Sequence, residues 1–303
     1  MTTLPTSPGA EILPGYSVVE LLDRGRRVDT YDVYSNLRQC RCVVKIIRPD
    51  RIQHTRVREA VIREGTLLRD LTHPHLVRGY EVITDPLPAM VLETLPGATL
   101  EAVIDDAPLT PADTAHLGLQ LASVLQYLHQ HQWLHLDVKP ANVVVNTGRA
   151  ILFDLSIANR PGPGRPGAGT DGYLSPEQAT GDNLGPETDV WSLAVTLIEA
   201  VTGHDPVGAT VKPTRLWRIS PLRKAARALD AVRDLPRPVR HTLLACLDPA
   251  PAARPNLTEL RGSLACALRD AEEPDLTAVD AYSGLRAPRW PRGLLRKCSD
   301  TRR

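Results

Sequence analysis

The chain has 303 residues, 42% of them hydrophobic and 23% charged, with 36 Lys and Arg against 35 Asp and Glu. That composition is globular rather than disordered, holds one large domain or two ordinary ones, and is too near neutrality to argue for nucleic acid or an anionic membrane as a general partner. The five cysteines (Cys40, Cys42, Cys246, Cys266, Cys298) lack metal-ligand spacing and read as reduced thiols, and no signal peptide or spanning apolar run is found, so a soluble cytoplasmic protein is expected.

Residues 1–13 are polar and Pro-bearing and are expected to form a loose arm. Tyr16–Leu22, Thr30–Tyr34 and Cys42–Ile47 are rich in strand formers and predict a three-stranded antiparallel meander. Residues 54–71 change to a helical period, with Val57, Val61 or Ile62, Leu67 and Leu68 on an apolar stripe beside Glu64, and His73-Pro74 ends the run. Strands over Leu76–Ile83 and Ala89–Glu93 then complete a five-stranded sheet with one helix, and a boundary is expected near Leu95–Thr99.

Beyond that boundary the pattern is mainly helical. Thr110-Pro111-Ala112-Asp113 is a helix start, followed by an apolar face through Leu117, Leu121, Val124, Leu125 and Leu128. Val143–Val145 and Ile151–Phe153 predict a short hairpin, residues 160–169 a loop without periodicity, and 187–202 a centrally buried helix. Weaker helices are predicted near 222–234, 237–247 and 256–270, and residues 271–303 form a polar, then basic, Pro-containing tail expected to be disordered and able to dock a partner.

The chemistry concentrates in His135-Leu136-Asp137-Val138-Lys139-Pro140-Ala141-Asn142, followed twelve residues later by Asp154 inside the apolar run 151–155. A carboxylate, an ammonium, an amide and a second carboxylate at this spacing suit a metal–phosphate centre. Asp137 would take a hydroxyl proton, Lys139 would offset phosphate charge, and Asn142 and Asp154 would hold Mg²⁺. Lys45 stands alone on an apolar strand and needs a partner to be buried. Glu64 on the 54–71 helix has better spacing for that than Glu59.

The 135–142 segment resembles the catalytic loop of protein Ser/Thr kinases (His-Arg-Asp-x-Lys-Pro-x-Asn), and Asp154 resembles the Asp of their Asp-Phe-Gly metal site. Gly169-Thr170 with Leu174-Ser175-Pro176-Glu177 resembles the substrate-docking loop and Ala-Pro-Glu segment, Asp189-Val190-Trp191-Ser192-Leu193 the central helix of the fold, and Arg254 the late arginine that pairs with Glu177. In order along the chain, these resemblances identify it as a member of the bacterial-type (Hanks-type, eukaryotic-like) Ser/Thr protein kinase family. They imply an α+β, two-lobed protein kinase fold over 14–270, with an antiparallel N-lobe at 16–95 and a helical C-lobe at 99–270. They also imply ATP and Mg²⁺ as cofactors and protein Ser/Thr hydroxyls as substrates. In that frame Asp137, Lys139 and Asn142 carry catalysis and Asn142 and Asp154 hold metal. Lys45, braced by Glu64, meets the α- and β-phosphates, and Gly25, Val28, Val43, Glu93, Leu95 and Val144 line the nucleotide.

Several positions depart from the family pattern. Where the nucleotide-covering loop expects Gly-x-Gly-x-x-Gly-x-Val, this chain has Asp23, Gly25, Val28 and Thr30, and Val43 stands in place of a small Ala. The alternative reading that follows is a pseudokinase, an interaction scaffold with weak or no nucleotide turnover; a small-molecule kinase is a third. Leu136 replaces the Arg that receives a phosphorylated activation loop, and Ser156 is the only phosphorylatable residue between Leu155 and Gly169. Activity independent of phosphorylation there is therefore expected.

Overall fold

The computed structural model describes residues 4–206 and 220–270. They form two compact units. The first takes in the described residues up to Leu95 together with Ser123–Leu136 and Ile151–Pro161; the second takes in Pro96–Ala122, Asp137–Ala150 and the described residues from Gly162 onward. The division at Leu95 falls where Pro96-Gly97 breaks the chain, whereas the return of 123–136 and 151–161 to the first unit is a tertiary fact that no local pattern announces.

The first unit is built on strands β1 (Glu11–Leu13), β2 (Tyr16–Arg24), β3 (Val28–Ser35) and β4 (Cys40–Ile47), helix α1 (Thr55–Asp70), and strands β5 (Gly79–Ile83) and β6 (Ala89–Glu93). The sheet is six-stranded in the order β1-β2-β3-β4-β6-β5, with every pair antiparallel. This corrects the expected five strands and the loose arm. Residues 11–13 pair with β2, and Leu4, Ile12 and Leu13 are buried in the core of the sheet. The sequence hid this because three residues are too few for an alternation to register.

Period-two alternation decides which side chains of β4 are core. Cys42, Val44 and Ile46 are buried with Tyr16, Val18, Tyr31, Val33 and Val91 on one face, while Val43 and Lys45 lie half-buried on the other. Helix α1 packs on the Lys45 side. Met90 is opposite Lys45 in the β4–β6 register, and a Cβ on Gly65 would stand 2.9 Å from the Met90 Cβ and 3.1 Å from a Val82 methyl. Glycine at 65 therefore sets how closely the helix approaches the sheet, and Glu64 is delivered beside Lys45 by the same approach. β5 begins at Gly79, later than the expected Leu76, because Leu76 and Val77 are used instead in bridging and bonding to Leu152.

The second unit opens with β7 (Ala98–Thr99), then α2 (Leu100–Asp106), a short helix capped by Thr99 that the sequence reading missed. Helix α3 (Pro111–Gln130) starts as expected. The Thr110 hydroxyl accepts from the Asp113 N–H at 3.1 Å and donates to its carboxylate at 2.7 Å. Strands β8 (Val143–Asn146) and β9 (Arg149–Leu152) complete a sheet ordered β7-β8-β9.

The expected loop at 160–169 contains a two-residue strand, β10 (Gly162–Pro163). After α4 (Pro176–Thr180), also missed, it pairs with β11 (Asn183–Leu184). Helix α5 (Pro186–Thr202) is buried nearly all round, Trp191 and Leu193 fully, and stops at Gly203 in the left-handed conformation. Helices α6 (Ser220–Asp230), α7 (Arg237–Ala245) and α8 (Leu257–Asp270) follow. The expected tail at 271–303, with its docking role, lies outside the described residues. Among the described residues no helix is long and apolar enough to cross a membrane, and Cys40, Cys42, Cys246 and Cys266 are not joined in disulfides.

Candidate active site

In the first unit the structure brings together Lys45, Glu64 and Asp154. The Lys45 ammonium donates to the Glu64 carboxylate at 3.0 Å and lies 3.7 Å from that of Asp154. Glu64, not Glu59, is thus the helix partner. Burial disfavours the charge on Lys45, but the two carboxylates outweigh it and raise its pKa above the ordinary lysine value. Burial likewise pushes Asp154 upward, yet Lys45 and the Ser156 N–H overcome it and hold the carboxyl below the usual range. Glu64 goes the other way, because burial there exceeds the pull of Lys45. Lys45 is therefore held as an ammonium and Asp154 as a carboxylate.

Asp154 is held by its own turn. Its Oδ1 accepts from the Ser156 N–H at 3.1 Å, and its backbone sits at φ +69°, a left-handed value that Asp tolerates better than bulkier residues. Leu155 is buried as an apolar plug. Arg63, beside Glu64 on α1, donates to the Ser156 carbonyl at 3.2 Å. The helix thus grips the Asp154 turn as well as Lys45, and the sequence reading missed this tie. Its only signal was an Arg next to the pairing Glu.

The hairpin β2–β3 carries Gly25 and Val28. The Gly25 N–H donates to the Val28 carbonyl at 3.0 Å, and a Cβ at 25 would lie 2.7 Å from that oxygen, so the one retained glycine is a steric requirement of the turn. Asp23 is opposite Thr30, which is opposite Lys45. Val43 shares the Lys45 face, and Leu22, which the sequence reading did not single out, is an exposed apolar residue of β2 at 40%. At the end of the unit the Glu93 carboxylate accepts from the Arg78 N–H at 2.8 Å, and Leu95 is half-buried.

In the second unit the carboxylate of Asp137 is surrounded by donors. Its Oδ2 accepts from the Asn142 amide at 2.9 Å and meets the Lys139 ammonium at 2.9 Å; its Oδ1 accepts from the Thr170 hydroxyl at 2.7 Å. That hydroxyl in turn accepts from Lys139 at 2.6 Å. Thr170, quoted in the sequence only as part of a resemblance, is therefore a full member of the site. The Asn142 amide nitrogen also donates to the Asp137 carbonyl at 2.9 Å, which leaves its carbonyl oxygen for a cation. The residue before Asp137, buried Leu136, has φ +68°, a conformation that costs a branched side chain about 1–2 kcal/mol and is kept at sites where geometry matters more than local comfort. Val144 lies half-buried on β8, opposite Thr99.

The segment leading to Thr170 is tied down by backbone and side-chain hydrogen bonds. β10 pairs with β11, the Gly164 N–H bonds the Asp182 carbonyl at 3.0 Å, and the Gly167 N–H bonds the Gln178 carbonyl at 3.1 Å. The Gln178 amide bonds the Ala168 carbonyl at 2.5 Å. Behind it, Glu177 takes both arms of Arg254 at 2.7 and 2.8 Å and the Thr188 hydroxyl at 3.0 Å. Burial raises the Glu177 pKa, but the guanidinium more than offsets that and leaves it below the usual value. Asp189 is fully buried, and the Thr196 hydroxyl on the same helix reaches the Val138 carbonyl at 3.3 Å.

An antiparallel sheet with a lysine clamped to a helix glutamate, and a helical unit holding an aspartate in a cage of amide, hydroxyl and ammonium, are the parts of a protein kinase domain. Residues 16–263 match the family described as Protein kinase domain, and the chain belongs to it. It is 28% identical over 207 residues to the SNF1-related protein kinase catalytic subunit alpha KIN12 of Arabidopsis thaliana, covering 66% of this chain and 42% of that protein. To the serine/threonine-protein kinase PknB of Mycolicibacterium smegmatis it is 32% identical over 212 residues, 62% of this chain and 34% of the relative. The chain thus matches less than half the length of either. In fold it resembles the crystal structure of the Mycobacterium tuberculosis PknI kinase domain, with a TM-score of 0.66, 24% identity, and coverage of 87% of this chain and all of that one.

Proposed function

We propose that the protein transfers the γ-phosphoryl group of ATP to Ser or Thr hydroxyls of protein substrates. The observation that carries this reading is the Asp137 cage: three donors, on Asn142, Thr170 and Lys139, hold one carboxylate. In this reading Asp137 orients the acceptor hydroxyl and takes its proton. Lys139, fixed by Thr170, offers its ammonium to the transferring phosphoryl oxygens. Lys45, kept charged by Glu64 and Asp154, meets the α- and β-phosphates. Oxygen donors from Asn142 and Asp154 suit Mg²⁺, which keeps several waters and needs only one or two protein ligands; when bound it neutralises phosphate charge. Lys139-Pro140 and the Thr170 bridge favour Ser/Thr over Tyr as acceptor.

The reading includes activity without phosphorylation of residues 155–169. What supports it is the backbone bonding of 162–168 to 178–184 and the apolar Leu136 in the place of a phosphate-binding Arg. The test is incorporation of labelled γ-phosphate from Mg²⁺-ATP into a generic protein acceptor by wild type and Asp137→Asn, with and without prior phosphatase treatment. The expected outcome is a loss of several orders of magnitude in the variant and no loss on dephosphorylation. Equal background in both proteins, with no thermal shift on adding nucleotide, would establish the scaffold reading instead.

A further inference from the structure

Two of the three glycines that let a kinase backbone close on phosphates are absent here, and the structure holds something in their place. Arg48, the first residue after β4, reaches the tip of the β2–β3 hairpin twice. Its Nη1 donates to the Gly25 carbonyl at 3.1 Å and its backbone N–H to the Arg27 carbonyl at 3.0 Å. The guanidinium is itself aimed by Asp50, whose carboxylate accepts from Nε at 2.9 Å, while Arg51 lies 3.3 Å from the other oxygen of Asp50. The side chain is about one-third exposed, so these bonds are made at the margin of the core rather than inside it.

We propose that Arg48 is a positioning residue for nucleotide, a strap that fixes the hairpin tip in one conformation; the proposal rests on the kinase reading above. The peptide group supplies the physical link. A trans peptide is planar, with its C=O and N–H antiparallel, so holding the Gly25 carbonyl against Arg48 fixes the Arg26 N–H in the opposite direction. Holding the Arg27 carbonyl fixes the Arg27–Val28 peptide in the same way. Between these anchors the Gly25 N–H is already committed to Val28, so the tip keeps little freedom.

In a glycine-rich lid the backbone finds the phosphates by flexing, and ordering it on binding costs conformational entropy. Here Asp23 and Val28, which carry side chains, leave the backbone less of that freedom. The strap sets the tip before nucleotide arrives, with the Arg26 and Arg27 side chains both exposed on it. Affinity then depends on preorganisation rather than on close backbone approach.

The test compares wild type, Arg48→Ala and Arg48→Lys by three readouts: the KM for ATP against kcat, direct binding of Mg²⁺-ATP, and amide hydrogen exchange of residues 24–28 without nucleotide. For Arg48→Ala we expect KM and Kd for ATP to rise about tenfold, the scale of one lost charge-assisted hydrogen bond, with kcat within about twofold. Exchange should quicken at 24–28 and not in α5 or α8. Arg48→Lys, whose ammonium reaches one carbonyl but cannot also engage Asp50 in the guanidinium geometry, should recover part of the affinity.

Unchanged affinity and unchanged exchange in Arg48→Ala would overturn the proposal. So would a fall in kcat at constant KM accompanied by faster exchange throughout the chain, which is what a merely structural residue would give. If wild type itself fails to bind Mg²⁺-ATP, the kinase reading falls and the positioning role with it, while the exchange difference at 24–28 still reports whether the strap exists.

Discussion

Thr170 makes the sharpest case at the scale of single residues. Its hydroxyl touches both Lys139 and Asp137, accepting from the first and donating to the second. Thr170→Val keeps the shape and removes both bonds. A hydrogen bond to a charged partner is worth about 1.5–3 kcal/mol, so phosphoryl transfer should fall roughly ten- to hundredfold with little change in the KM for ATP. Thr170→Ser should restore most of it. Steady-state kinetics on the three proteins check this, and equal kcat in Val and Thr forms would remove the hydroxyl from the mechanism.

Legibility also divides cleanly at this scale. Asp137, Lys139, Asn142, Lys45, Glu64 and Asp154 could be named from the chain because charged residues on apolar runs, or in a fixed local order, are chemically conspicuous. Thr170, Arg63 and Arg48 could not be placed. An arginine among many arginines, or a threonine in a loop, carries no local signal of the distant carbonyl or carboxylate it will meet.

Among the elements, α1 shows how a packing detail becomes a functional one. Gly65 faces Met90 and Val82 so closely that an added methyl would collide with the Met90 Cβ and crowd a Val82 methyl. On an exposed helix, Gly→Ala gains roughly 1 kcal/mol. Here the helix would have to move off the sheet, taking Glu64 from Lys45 and Arg63 from the Ser156 carbonyl. Gly65→Ala is therefore expected to lower the melting temperature in spite of its better helix propensity, and to weaken nucleotide binding as well. Differential scanning calorimetry with and without Mg²⁺-ATP reads both effects; a raised melting temperature with intact binding would contradict this account.

The elements that were legible are those with a long one-sided periodicity, such as α1, α3 and the strands β2 to β4, or with a continuous apolar run, such as α5 and β6. The short ones, β1, α2, α4 and the β10–β11 pair, owe their form to caps and to partners distant in sequence, and no window of a few residues contains that information.

At the largest scale, the second unit is tied together by the Glu177–Arg254 pair, 77 residues apart in sequence and buried at both ends. Arg254 also bonds the Glu187 and Asp248 carbonyls, so one guanidinium gathers three segments of the second unit. Breaking such a pair typically costs about 3–5 kcal/mol, because it strands a buried charge; Glu177→Gln, which keeps one acceptor, is expected near the lower end.

The pair also sets a pH dependence. The Glu177 pKa is lower folded than unfolded, where a free Glu titrates near about 4.3. Between those values the unfolded chain binds the extra proton. Its contribution to stability is therefore complete above the unfolded value and is lost as pH falls through the folded one. Melting temperatures from pH 7 down to pH 3 should show the wild type converging on Glu177→Gln at the acid end. A constant gap across that range would mean that Glu177 is not the group responsible.

The three residues of β1 have a consequence for how the protein meets copies of itself. β1 forms one of the two edges of the six-stranded sheet, short and irregular in register, and residues 9 and 10 extend its cover along β2 as far as Val18. A sheet margin of that kind is a poor template, since it offers few unpaired amides and carbonyls in line. The family match begins at Tyr16, so a chain trimmed to it would end its sheet on nine-residue β2 instead, with a longer row of open backbone groups and the apolar side chains of Tyr16 and Val18 uncovered. Residues 9–13, expected from the sequence to belong to a loose arm, thus cover a sheet edge that would otherwise lie open.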